Sequence, residues 1–201
     1  MCSIKRTGIE LSKVAETATF PEPVQAYLFD ENSGTYLLCG RWLTFYVVGT
    51  VESSIQMKKY AESTLATDFI SEDAEFAYIE GKVYLSDGKV LRRLSIDEQT
   101  RAITYTTVVG FEPLPQESKL VKLVKGLNKN ELYVLGTSSL NSYEFTDSET
   151  IKRKDSLPAG LVTSANTFVD ILVDGGCICV LDFLQGLYLV NGSSLNVFKN
   201  Y

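Results

Sequence analysis

Histidine, the side chain that most often performs acid–base chemistry, is absent from this sequence of 201 residues. Ser-His-Asp, Cys-His and HExxH sites all need imidazole, so these enzyme classes are excluded. Paired carboxylates remain, and a glycosidase needs two of them about 5 to 9.5 Å apart. The candidates Asp87, Asp174 and Asp182 lie in or beside predicted turns and strand ends. A carboxylate-based hydrolase therefore stays an alternative, and no catalytic residue is predicted.

The cysteines offer metal or redox chemistry only if the fold gathers them. Cys177 and Cys179 share one face of a predicted strand, because side chains alternate along a strand. Two thiols lack the remaining ligands of a structural zinc site, and Cys2 and Cys39 are distant in sequence. Packing in the core is the simpler interpretation for the pair. Glycine motifs that bind phosphates or dinucleotides are missing, so the sequence predicts no metal and no cofactor.

Two charged sets are the candidate partner-binding residues. The acidic set lies at the end of the predicted connection 61–75 and consists of Asp68, Glu72, Asp73 and Glu75. The basic set follows the third predicted hairpin and consists of Lys152, Arg153 and Lys154. The simpler interpretation of both is a solvated surface or a protected sheet edge. Contact with a charged protein partner is the functional interpretation, with metal binding as a further alternative for the acidic set.

The charge balance narrows the classes of partner. The chain carries 19 Lys and Arg against 25 Asp and Glu, a net charge of −6. Such a balance disfavours nucleic acid and anionic membranes as main partners. No apolar run reaches the roughly 18 residues of a membrane span, and the first residues lack the apolar stretch of a signal peptide. We therefore expect an intracellular protein, cytoplasmic or nuclear.

The elements that must position these residues are strands in a repeat. Four apolar hairpins start at Gly34, Gly81, Asn130 and Gly176, so their starts are 46 to 49 residues apart. Each hairpin is preceded by an apolar strand and followed by a more polar one. The preceding strands are predicted at 24–29, 76–79, 120–124 and 168–173, and the following strands at 55–60, 102–108, 150–154 and 195–199. The sequence thus predicts four repeats of four strands.

The order of strands within a repeat carries a further signal. The first two strands of each repeat are nearly continuously apolar, as expected when both faces are covered, whereas the last strand carries the lysines typical of an exposed edge. In strand pattern and period, the repeat resembles a blade of a divergent, WD40-like β-propeller. The resemblance implies an all-β fold of four antiparallel four-stranded units, a small or partial propeller. A β-sandwich of the same strands is the alternative.

The predicted organisation is a leader at 1–22 and a propeller-like domain at 23–201. The leader contains one further strand, within 8–17. The domain consists of repeats at about 23–62, 67–110, 119–157 and 167–201. Propellers have about four to eight blades, so four repeats form either a minimal ring or part of a larger one.

These features predict a protein–protein interaction scaffold that belongs to a larger assembly and has no catalytic activity of its own. Its partners are expected to be other protein subunits, or a second copy, that complete the open blade edges. The alternatives from other classes are the carboxylate-based hydrolase and a carbohydrate- or peptide-binding β-sandwich.

Overall fold

The computed structural model describes residues 2–7, 10–16, 24–30, 35–40, 43–51, 54–63, 73–97, 99–157, 167–174, 176–192 and 194–200. Within these ranges the regular structure is entirely β. The strands are β1 (Cys2–Thr7), β2 (Glu10–Glu16), β3 (Val24–Asp30), β4 (Thr35–Gly40), β5 (Thr44–Val51), β6 (Ser54–Ser63), β7 (Glu75–Ile79), β8 (Lys82–Ser86), β9 (Leu91–Ile96), β10 (Ala102–Thr107), β11 (Leu120–Lys125), β12 (Glu131–Gly136), β13 (Ser139–Phe145), β14 (Ile151–Ser156), β15 (Phe168–Asp174), β16 (Cys177–Asp182), β17 (Gly186–Asn191) and β18 (Val197–Asn200).

The predicted all-β class and the four-stranded repeats are confirmed. Strands pair in chain order as β3–β6, β7–β10, β11–β14 and β15–β18. Three of the four first strands carry a register irregularity at the same place, between Val24 and Ala26, between Leu120 and Lys122, and between Phe168 and Asp170. This shared bulge shows that the sequence period corresponds to a structural repeat. We call the last two groups of strands the third sheet and the fourth sheet.

The leader differs from the single strand that was predicted. It forms a hairpin in which β1 pairs antiparallel with β2, from Cys2 opposite Glu16 to Thr7 opposite Glu10. The sequence of β1, Cys-Ser-Ile-Lys-Arg-Thr, has only one large apolar residue, so it lacks the alternation by which strands are recognised. Pairing with β2 satisfies its backbone groups instead.

The chain divides into two compact units. The N-terminal unit comprises residues 1–72 with 96–103, and the C-terminal unit comprises 73–95 with 104–201. In the N-terminal unit, Leu38, Cys39, Phe45 and Val48 are buried on β4 and β5. The first two residues of β10 also pair in parallel with Glu62 and Ser63 of β6, an addition to the antiparallel pattern expected from sequence.

The C-terminal unit is a stack of sheets whose first strands are neighbours. Strand β11 lies between β7 and β15. The layer between β7–β10 and the third sheet is filled by large apolar side chains, among them Ile79, Tyr84, Leu91, Leu132, Val134, Tyr143 and Phe145. The layer between the third and fourth sheets is filled by Tyr133, Leu135, Leu140, Phe168, Ile171, Ile178, Val180, Tyr188 and Val190. Both faces of the third sheet are therefore covered.

Candidate functional site on the fourth sheet

The fourth sheet has one buried face and one face on which leucines are exposed. Ile171, Ile178, Val180, Tyr188 and Val190 point into the layer shared with the third sheet. Because side chains alternate, the residues between them share the opposite face, which we call the outer face. The outer face consists of Asp170, Leu172 and Asp174 on β15, Cys177, Cys179 and Leu181 on β16, and Leu187, Leu189 and Asn191 on β17.

The outer face is apolar at its centre. In the strand register, Leu172 lies opposite Cys179, which lies opposite Leu189, and the neighbouring row places Leu181 opposite Leu187. Leu172 is 63% exposed and Leu181 is 44% exposed. The two cysteines are half-buried free thiols on this face rather than core residues as predicted. Contiguous exposed apolar surface of this kind marks an interaction site more often than scattered single residues do.

Two exposed apolar residues lie in the turn that adjoins Leu181 and Leu187 of the outer face. Phe183 is 77% exposed and Leu184 is 62% exposed in the turn between β16 and β17. The turn is fixed by the buried Asp182 carboxylate, which accepts hydrogen bonds from the Leu184 amide at 2.8 Å, the Gln185 amide at 2.7 Å and the Thr167 amide at 2.9 Å. The rigid turn therefore holds an apolar anchor in solvent at little entropic cost on binding.

Charged residues on the first strands of successive sheets form a second feature, the inner-strand row of Glu75 on β7, Lys122 on β11 and Asp170 on β15. The Lys122 Nζ donates to Asp170 Oδ1 at 2.5 Å. Burial raises the pKa of Glu75 to about 7, with Lys122 lowering it and Asp170 raising it further. Burial also acts to raise the pKa of Asp170, but hydrogen bonds from Lys122 and the Ile171 amide outweigh it and leave that pKa lowered.

The acidic candidates from the sequence are only partly within the described residues. Asp68 and Glu72 lie outside the described residues. Asp73 is exposed, with its carboxylate 4.0 Å from the Lys119 ammonium. Glu75 belongs to the inner-strand row. Asp73 and Glu75 thus flank the start of β7 and face lysines of the third sheet.

The basic candidates mainly serve ion pairs within the C-terminal unit. Lys154 Nζ lies 3.0 Å from the buried Glu131 carboxylate, and Arg153 lies 2.7 Å from Glu112. Lys152 is exposed opposite Glu144 in the register. Glu131 also accepts a hydrogen bond from Tyr133 at 3.3 Å, and the pKa of Tyr133 is raised by burial and by that carboxylate. Among the described members of the two sets, Asp73 pairs with Lys119, whereas Arg153 and Lys154 pair with Glu112 and Glu131.

The carboxylates considered for hydrolysis have separate positions. Asp87 accepts hydrogen bonds from the Lys89 and Val90 amides at 2.9 and 3.1 Å, Asp182 holds the turn after β16, and Asp174 is exposed at the end of β15. Within the described ranges no group of three or more metal-ligating side chains is found. Those ranges also contain no helix of the length and apolarity that a membrane span requires.

Sequence reasoning missed Phe183, Leu184 and the exposed half of β15 and β16. The runs Phe-Val-Asp-Ile-Leu-Val-Asp and Cys-Ile-Cys-Val-Leu-Asp are apolar at both parities, which predicts that both faces are covered. Leu172 and Leu181 on one of these faces are instead exposed. The apolar composition of both faces of β15 and β16 was therefore the available signal, because it indicates a second surface that another element would cover.

Several solved proteins have a similar fold. A protein from Lactobacillus plantarum has a TM-score of 0.70 at 13% identity, over 99% of this chain and 64% of its own. The β-propeller domain of Cps50 (Swd1) from Myceliophteria thermophila has a TM-score of 0.55 at 11% identity, over 92% and 62%. YCF48 bound to D1 peptide has a TM-score of 0.56 at 12% identity, over 90% and 54%.

These similarities support a partial β-propeller. At such low identity they concern the fold alone, and this chain spans less than two thirds of each of the three structures. No protein-family model and no curated protein matches the sequence.

Proposed function

We propose that this chain is a non-enzymatic protein-interaction subunit whose outer face on the fourth sheet binds another protein in a larger assembly. The observation that carries the proposal is the apolar surface formed by Leu172, Leu181, Phe183 and Leu184, which is more than 40% exposed at every one of these residues. Burying a leucine or phenylalanine of this kind stabilises a complex by about 1.5 to 3 kcal/mol. This stabilisation is not gained while the side chains remain exposed to water.

The shape of the site favours a protein over a small ligand. The outer face is a sheet surface three strands wide in its described part, whereas small-molecule sites are concave and enclose the ligand. The similar structures point the same way, because they include a propeller domain and YCF48 bound to D1 peptide. We further propose that the repeats are WD40-like blades and that the protein works inside the cell, where Cys177 and Cys179 stay reduced.

Quantitative co-purification from the native cells tests the proposal. Wild-type chain is compared with Leu172→Lys and with Val109→Lys, which places the same charge on an equally exposed apolar residue of the C-terminal unit, at 65% against 63%. We expect wild type and Val109→Lys to recover the same defined protein, and Leu172→Lys to lose it about tenfold or more. Equal recovery with both lysine variants, or no protein recovered by wild type, contradicts the proposed function.

A further inference from the structure

The outer face of the fourth sheet is equivalent, in strand register, to the face of the third sheet that packs against the fourth sheet. In the register of the third sheet, the row is Lys122, Leu135 and Leu140. At the same distance from the shared bulge, the row of the fourth sheet is Asp170, Leu181 and Leu187. Leu135 and Leu140 are buried against the fourth sheet. The equivalent leucines of the fourth sheet thus stand where another sheet would pack.

Charged residues on the first strands determine the electrostatic character of this surface. Lys122 on β11 is positive and Asp170 on β15 is negative, and Lys122 pairs with the strand that follows it. The Asp170 side chain is still 56% exposed. Asp174 is exposed further along β15 on the same outer face. The next first strand in the stack would therefore meet two carboxylates, which a cation on that strand would complement.

We propose that the outer face is covered by a four-stranded β-sheet of a different polypeptide, stacked as the fourth sheet stacks on the third, with lysine or arginine on its first strand facing Asp170 and Asp174. This inference rests on the proposed function and names the partner. The solved structures with a similar fold are longer than this chain, so the stack of sheets is similar to only part of them. The same face of a second copy would instead set carboxylates against carboxylates, which repel.

Photo-crosslinking in the native cells identifies the occupant of the face. Leu181→p-benzoylphenylalanine places the crosslinker at the centre of the outer face, and Val109→p-benzoylphenylalanine serves as the control. The expected product is a covalent adduct between position 181 and a strand of a different, sheet-forming polypeptide, absent from the control. Adducts with a second copy of this chain, or with a helical or unstructured segment, overturn the inference but leave the proposed function standing. Absence of any protein adduct at position 181 contradicts both.

Charge reversal on purified components tests the predicted cation. Asp174→Lys leaves the Lys122–Asp170 pair in place, and we expect it to weaken binding of the crosslinked partner about tenfold. Exchange of the partner's facing lysine or arginine for glutamate should restore the affinity of Asp174→Lys and lower that of wild type. Melting temperatures of the free chains control for a purely structural effect. Equal affinity of wild type and Asp174→Lys, or no rescue by the partner variant, overturns the predicted electrostatic contact.

Discussion

Individual charged residues in this protein have different roles although they look alike in sequence. Lys152 and Lys154 belong to one exposed basic run, yet the Lys154 ammonium lies 3.0 Å from the buried Glu131 carboxylate, whereas Lys152 lies opposite Glu144 in the strand register. The same carboxylate receives hydrogen bonds from the Asn128 amide at 3.2 Å and from Tyr133. Removing the cation from a buried ion pair is strongly destabilising, even where hydrogen bonds to the carboxylate remain. Lys154 therefore stabilises the folded state, whereas substitution of Lys152 should have little effect on stability.

Removal of the Lys154 charge should destabilise the protein. We expect Lys154→Met to lower the free energy of unfolding by about 1–3 kcal/mol, because it removes the ion-pair partner of the buried Glu131 carboxylate. Lys152→Met is the matched control and should change it by less than about 0.5 kcal/mol. Urea denaturation of the three proteins at neutral pH measures both values, and equal effects at the two positions would contradict this role for Lys154.

The pKa of Glu75 gives stability a pH dependence. Its pKa is about 7 in the folded state against 4.5 for an ordinary glutamate, so the folded state holds a proton that the unfolded state has released between these pH values. The free energy of unfolding should therefore fall as pH rises from about 4.5 to 7.

Glu75→Gln should remove this part of the pH dependence, because glutamine cannot ionise. Relative to wild type, we expect the variant to gain about 1–3 kcal/mol in the free energy of unfolding between pH 4.5 and 8. Glu117→Gln, at an exposed position, makes the same change in charge and serves as the control. Chemical denaturation across this pH range measures the slopes. Parallel curves for wild type and Glu75→Gln would show that Glu75 does not titrate in this way.

At the scale of elements, apolar runs and the turn residues that end them predict where the strands lie. Strands β7 to β9, β11 to β13 and β15 to β17 lie within a few residues of their predicted positions, because their apolar runs end at turn residues. Strand β1 was missed because it lacks a pattern. The open face of the fourth sheet was also missed, since a strand with two apolar faces does not reveal which neighbour is present. The repeat was predictable from local sequence, whereas the cover depends on tertiary context.

The backbone contact between the residues after β10 and the start of β14 depends on a glycine. After β10, the Val109 amide donates to the Glu149 carbonyl and the Ile151 amide donates to the Val109 carbonyl, both at 2.8 Å. Gly110 follows with φ +85°, and a Cβ there would collide with the Ile151 carbonyl oxygen. Only glycine allows this close approach of two backbones at that angle.

Gly110→Ala should therefore cost more than backbone strain alone. We expect a loss of at least about 3 kcal/mol in the free energy of unfolding from strain and collision together. Gly176→Ala is the control, because Gly176 has φ +87° with open space around the added methyl group, and it should cost about 1 kcal/mol. Thermal and urea denaturation compare the two variants, and similar losses would show that the collision is relieved at no cost.

At the scale of the whole molecule, the C-terminal unit is a stack whose last sheet exposes leucines on its outer face in the part of the chain that the structure describes. Each internal layer is filled by large apolar side chains from two sheets, and the third sheet is buried on both faces. The outer face of the fourth sheet has the same strand register and similar composition but is exposed. A stack of repeats requires a cover or a polar cap at its end, and this face has no polar cap in its described part. The function proposed for the chain follows from that end surface.

The protein's own cysteines allow the most direct test of this account. Thiol alkylation with a maleimide, quantified by peptide mass spectrometry, is compared between the purified chain and the intact assembly in native extract. Cys39 is fully buried and should be unlabelled in both samples, whereas Cys177 and Cys179 are half-buried on the outer face. We predict that both outer-face cysteines are labelled in the purified chain and protected in the assembly. Equal labelling of Cys179 in the two samples would contradict the claim that another protein covers this face.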